Sequence, residues 1–318
     1  MMSNSPSSAV APDFATSTVA KPERMLDGFP WVSAIVLYTL SWGWSLLRPN
    51  TLYWDDWSEI FKQKSKHTYA VAKTQGLPPW SKTLDWFFLA VGNWTIPIAT
   101  FVAFFVAGLW CFGILKTMTF IRGNQLNIIL LIYLVVPVNH ARIARICFDY
   151  TSSYFLFFLG WFVMVRYKSM KNFVLACVIL FLSLKTHSFL FFVMLPFLHF
   201  AWLNKTELLD FKKLNRRHLQ IVVIAALPVL YIILRSIFWP LSVSWQDYQK
   251  PTAEGLMTGL WPILIGLVGL LIIAFRHKKN KPTHFGFVLF VLGFLVTALA
   301  LFPYFLAELY VGYAGRPA

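Results

Sequence analysis

Between Phe29 and Phe302 the sequence is a series of apolar runs, most of them close to a helix's membrane-crossing length, separated by short clusters of Lys and Arg. A helix needs about 20 apolar residues to cross about 30 Å of hydrocarbon. Lipid offers no partner to backbone N–H and C=O groups, so a crossing segment must satisfy them internally, and the α-helix does so. The pattern therefore predicts an all-α integral membrane protein with about nine transmembrane helices. Charge is scarce in the same way: 13% of residues are charged and 58% are hydrophobic, where a soluble domain carries about 25% charged residues.

The predicted crossings are 29–47, 95–115, one that starts at Leu126 and bends at Pro137, 152–165, two within 172–203, then 218–238, 256–275 and 284–302. The run 172–203 is interrupted by Lys185-Thr186-His187-Ser188. As a single helix it would be about 48 Å long, too long for the bilayer. Read as a hairpin, it keeps the basic stretch 205–217 on the same side as the loops 116–125, 166–172 and 276–283. Basic loops stay in the cytoplasm, so the hairpin and a cytoplasmic N-terminus are expected together. The organisation predicted is a disordered cytoplasmic segment 1–28, a polytopic domain 29–303 and an outer-face segment 304–318. A long first outer loop, 48–94, carries an interfacial helix through 57–64.

The net charge of +15 does not point to nucleic acid, because the basic residues sit between apolar runs where orientation requires them. Cys111, Cys147 and Cys177 lie in or beside apolar stretches without CxxC or Cys/His spacing, so neither a disulfide framework nor a zinc site is expected. No P-loop, dinucleotide fingerprint, GxSxG or HExxH occurs.

Two features carry potential chemistry. The first is Tyr53-Trp54-Asp55-Asp56-Trp57, just after the first crossing. Adjacent carboxylates repel and apolar neighbours desolvate them, and both effects raise a carboxyl pKa toward that of a general base. Such a pair also suits a divalent metal ion; equally, either Asp can cap the interfacial helix. The second feature is a set of cations on the outer side, against the charge rule: His140, Arg142 and Arg145 before Asp149, Lys185 and His187 in the hairpin turn, Arg235 near the outer end of its crossing, and Arg48. Cations at membrane depth face a cavity, a partner or a ligand, and a converging set suits a phosphate or diphosphate. Snorkelling, or pairing with Asp55, Asp56, Asp149 and Asp247, is the competing structural explanation.

The chain resembles the GT-C superfamily of polytopic glycosyltransferases, in its bacterial lipopolysaccharide- and O-antigen-modifying branch. The resemblance rests on Tyr53 to Trp57, on Pro137-Val138-Asn139-His140-Ala141-Arg142 through Tyr150, on Leu184 to Phe189, and on Phe302-Pro303-Tyr304. It implies a GT-C-like fold in the bacterial inner membrane, a polyprenyl-phosphate-linked sugar as donor, and a cell-envelope glycan or lipid as acceptor on the periplasmic face. Asp55 or Asp56 would then be the catalytic base or a metal-coordinating carboxylate. Arg142, Arg145, Lys185, His187, Arg235 and His140 would hold the donor phosphate. Members of that superfamily are usually longer, so a truncated or short variant is expected. The alternatives are a transporter or flippase of a lipid-linked or anionic solute, or a non-catalytic membrane subunit.

Overall fold

The computed structural model describes residues 25–51, 76–92, 94–118, 121, 123–135, 147–186, 189–208, 215–240 and 293. The expected interfacial helix 57–64, the bend at Pro137, the last two crossings and the segment 304–318 lie outside these residues.

The described secondary structure is helical. Its elements are α1 (Trp31–Trp42), α2 (Trp44–Leu47), α3 (Trp80–Val91), α4 (Thr95–Lys116), α5 (Gly123–Val135), α6 (Phe148–Arg166), α7 (Met170–Ser183), α8 (Phe189–Phe192), α9 (Met194–Leu203), α10 (Lys205–Leu208) and α11 (Arg216–Phe238). Among them α4, α6 and α11 are long and apolar enough to cross a membrane. At 1.5 Å per residue they measure about 33, 29 and 35 Å, against about 30 Å of hydrocarbon.

Local sequence explains where these helices start and stop. Pro97 lies in the first turn of α4 and Pro196 in that of α9, where backbone N–H groups have no intrahelical acceptor. Ser169 caps α7 by accepting from the Asn172 amide, and Asn215 with His218 forms a reciprocal capping box on α11. Lys116 and Arg166 occupy last turns and Asp149 a first turn, each placed favourably for the helix dipole. At Gly92, between α3 and α4, φ is 150° and an added Cβ would lie 2.7 Å from Trp94 Nε1, so the junction needs glycine.

Packing fixes the order of the helices. Phe29 meets Phe112, and Tyr38 meets Phe101 and Phe105, so α1 runs antiparallel to α4. Trp42 Nε1 donates to the Leu134 carbonyl, placing the end of α5 beside the end of α1. Gly160 of α6 permits close approach of α7: a Cβ there would sit 3.0 Å from Leu180 N and 3.1 Å from Ala176 O. Small residues play this role between membrane helices. The run 172–203 is a hairpin, as expected. Phe173 contacts Phe200 near its open end, and at the turn Thr186 bonds Ser153.

Helix α6 is central, with 56% of its most apolar window buried, whereas α11 is peripheral at 17%. The buried residues of α11, Gln220, Ile224, Leu227 and Tyr231, form one helical stripe. Its other faces expose Leu219, Val222, Val229, Ile233 and Ile237. Large apolar surface of this kind is costly in water and ordinary in lipid. The chain thus belongs to a membrane.

Candidate functional site

The described helices bring their termini to two opposite ends. One end carries Lys116, Arg166, Lys168, Lys171, Lys205, Arg216 and Arg217. The other carries Arg48, the start of α6, the turn 184–186 and the end of α11. The segments holding Asp55, Asp56, His140, Arg142, Arg145 and His187 lie outside the described residues. Their described flanks, at 51 and 76, at 135 and 147, and at 186 and 189, all belong to this second end.

At its centre lies Lys185, 4% exposed. Its ammonium donates to Ser152 Oγ at 2.7 Å, Asp149 Oδ1 at 3.1 Å and the Ser81 carbonyl at 3.2 Å. An ammonium has three protons, so each finds an acceptor. The α6 start supplies two partners and α3 the third. Helical spacing puts Asp149, Ser152 and Ser153 on one face. The hydroxyls of Ser152 and Ser153 both donate to the Asp149 carbonyl, at 3.0 and 2.9 Å. Ser153 Oγ has thereby used its proton, so the 2.8 Å bond to Thr186 is donated by the threonine. Lys185 and Thr186, the described part of the polar break, are therefore hydrogen-bonded onto α6.

Arg235 closes the same end. Its Nε donates to the Gly76 carbonyl at 2.9 Å. Gly76 and Ser81 are five residues apart, so one short strap accepts from both Arg235 and Lys185. Trp80, within that strap, donates to the Leu182 carbonyl at 3.3 Å and stacks edge-on against Trp239 at 5.2 Å. Phe88 meets Phe148, and Thr95 Oγ1 bonds the Phe88 and Gly92 carbonyls. The C-terminal part of the first long loop is thus docked across the starts and ends of four helices.

Of the residues singled out from the sequence, Lys185 and Arg235 lie at this end and share the strap. For Lys185, contact with a phosphate oxygen requires exchange of one of its three present acceptors. Ser81, Ser152, Ser153 and Thr186 were not singled out. Hydroxyls three and four residues after an acidic helix start, Ser152 and Ser153 after Asp149, were the available signal. Among the described residues no group of three His, Cys, Asp or Glu side chains is placed to hold a metal ion.

A second buried polar group lies toward the basic end. Trp161 Nε1 donates to His199 Nδ1 at 3.1 Å, and His199 Nε2 lies 3.0 Å from Thr117 Oγ1. With Nδ1 accepting, the neutral ring carries its proton on Nε2 and donates to Thr117, which donates to the Ile114 carbonyl at 2.6 Å. The chain of bonds is directed from end to end and joins α4, α6 and α9. The sequence assigned His199 no role.

Comparison with known proteins gives no match: no family model, no curated protein and no solved structure is similar.

Proposed function

We propose that this chain is a membrane glycosyltransferase that moves a sugar from a polyprenyl-phosphate donor to a cell-envelope glycan or lipid acceptor. In this reading it lies in a bacterial inner membrane with the basic end in the cytoplasm and the Lys185 end outside, as the distribution of Lys and Arg requires. The observation that carries the proposal is the strap 76–81. It belongs to the same loop, 48–94, as Asp55 and Asp56, and it is held by Lys185 and Arg235, two cations at the end opposite the basic cluster.

The chemistry follows from those residue types. A lipid-linked donor presents its phosphate and sugar at the bilayer surface, level with this end. The acceptor hydroxyl oxygen attacks the anomeric carbon while the bond from that carbon to the phosphate oxygen breaks. Asp55 or Asp56 takes the hydroxyl proton. The phosphate leaves with the bonding electron pair, and Arg142, Arg145, His140, His187 and Arg235 stabilise the charge that builds on it, with Lys185 joining them on exchange of one of its three acceptors.

Glycan analysis of cells expressing the wild-type protein, Asp55→Asn or Asp56→Asn at matched membrane levels tests this. Loss of one sugar from a surface glycan in either variant is the expected result. An unchanged glycan in both variants, with wild-type protein required for it, would favour a non-catalytic subunit.

A further inference from the structure

Two glycines bracket the strap and α3. At Gly76 φ is 64° and at Gly92 it is 150°, angles that glycine takes freely and other residues rarely. Both are fastened. The Gly76 carbonyl accepts from Arg235 Nε at 2.9 Å, and the Gly92 carbonyl from the Thr95 amide at 3.0 Å. The segment between them is stiff, since Pro78 and Pro79 fix φ and most of the rest is the helix Trp80–Val91. Its outer side exposes Thr83, Leu84, Phe87 and Val91. A stiff segment fastened at two glycine joints turns about the line between them, as a flap.

The inner side of this flap is held by two long polar bonds. Lys185 donates to the Ser81 carbonyl at 3.2 Å and Trp80 Nε1 to the Leu182 carbonyl at 3.3 Å, at or past the usual N–H···O limit. Trp80 against Trp239 and Phe88 against Phe148 complete the contact. Loss of the Lys185 bond is unequal for its two partners. The Ser81 carbonyl belongs to the first turn of α3, where the amide four residues on also donates to it, so it stays bonded when the flap lifts. Lys185 is 4% exposed. With the flap lifted it keeps Asp149 and Ser152, but its third proton has no acceptor, and an unmet buried charged donor is costly. The flap therefore stays shut until another oxygen takes the carbonyl's place. A phosphate oxygen, being charged, bonds an ammonium more strongly than a carbonyl or water does.

We propose that residues 77–91 form a flap that a lipid phosphate monoester opens, its phosphate oxygen replacing the Ser81 carbonyl on Lys185. The proposal rests on the donor reading above and adds a gate to it: Lys185 is uncovered only when a phosphate-bearing lipid arrives.

The test uses the full chain lacking Cys111, Cys147 and Cys177, in phosphatidylcholine nanodiscs with undecaprenyl phosphate or inorganic phosphate added. Lipid binding is read by native mass spectrometry. Flap position is read by the rate at which Ser81→Cys, at a position 2% exposed, reacts with a maleimide. Undecaprenyl phosphate should bind and speed labelling about tenfold or more, the shift that one hydrogen bond to a charged group allows. Thr83→Cys, exposed with the flap shut, should keep its rate. Inorganic phosphate has no chain to hold it at this depth and should leave both rates unchanged. In the unaltered chain, hydroxyl-radical oxidation of Trp80 should rise with undecaprenyl phosphate, independently of any substitution. Bound lipid with unchanged labelling and oxidation would overturn the flap and leave the transferase reading standing. No bound lipid would overturn both. Fast labelling in phosphatidylcholine alone, or equal acceleration by inorganic phosphate, would also overturn the gate.

Discussion

Lys185, in the turn after α7, and Asp149, in the first turn of α6, are 36 residues apart and form an ion pair of 3.1 Å in which the lysine side chain is 2% exposed and the aspartate 18%. The asymmetry matters. The carboxylate keeps some access to water or headgroups, whereas the ammonium depends on its partners. Removing one member of a buried pair costs about 3–5 kcal/mol because the other charge is left uncompensated. Asp149→Leu should therefore destabilise more than Lys185→Met, and Lys185→Met/Asp149→Leu should be milder than Asp149→Leu alone. Unfolding of the purified variants in one detergent, followed by helical circular dichroism, checks the order.

Close approach of α6 and α7 rests on Gly160. In Gly160→Ala the new methyl meets Leu180 N, Leu180 Cγ and Ala176 O at 3.1 Å or less, and two of these are backbone atoms that cannot turn aside. The helices must separate, at a cost of about 1–3 kcal/mol. Gly123→Ala, at the start of α5 with nothing within 4 Å, should be neutral or stabilising by up to about 1 kcal/mol. Melting temperatures of the two variants distinguish the sites.

The bonds from Trp161 through His199 to Thr117 form a chain in which each donor has one acceptor. Trp161→Phe leaves His199 Nδ1 buried without its donor, which costs about 1–3 kcal/mol. Trp161→Phe/His199→Leu removes both polar groups and should recover part of that loss. A double-mutant cycle on unfolding free energy measures the coupling.

Orientation is testable with single cysteines in a background lacking Cys111, Cys147 and Cys177. Thr83 and Lys168 are both exposed, at opposite ends. Thr83→Cys should react with a membrane-impermeant maleimide on intact cells after outer-membrane permeabilisation. Lys168→Cys should react only after the inner membrane is opened. The reverse pattern would invert the assigned topology.

Much of this architecture was legible in the residues. The expected crossings 95–115, 152–165 and 218–238 correspond to Thr95–Lys116, Phe148–Arg166 and Arg216–Phe238, because the shift from apolar runs to Lys and Arg marks where lipid ends. The hairpin at Lys185 was legible for the same reason. Which side of each helix packs was not. On α4, Ala107 is fully buried and Val102 is 52% exposed, yet both are apolar. A helix with lipid on one side and protein on the other shows no polar stripe to read. Partner choice was equally hidden: nothing in the sequence around Lys185 says that its acceptors are Ser152, Asp149 and Ser81, or that His199 meets Trp161. Those pairings come from helix order and register, which the apolar pattern does not encode.

The central claim, sugar transfer from a lipid-linked donor, is tested most directly with purified protein in proteoliposomes supplied with a polyprenyl-phosphate sugar and an extract of envelope acceptors. The quantity measured is sugar-dependent release of polyprenyl phosphate. Wild-type protein should turn over, and either Asp55→Asn or Asp56→Asn should lose about a hundredfold or more in rate, the usual contribution of a general base. Release unaffected by both substitutions, or absent with wild-type protein across donors and acceptors, would contradict the account.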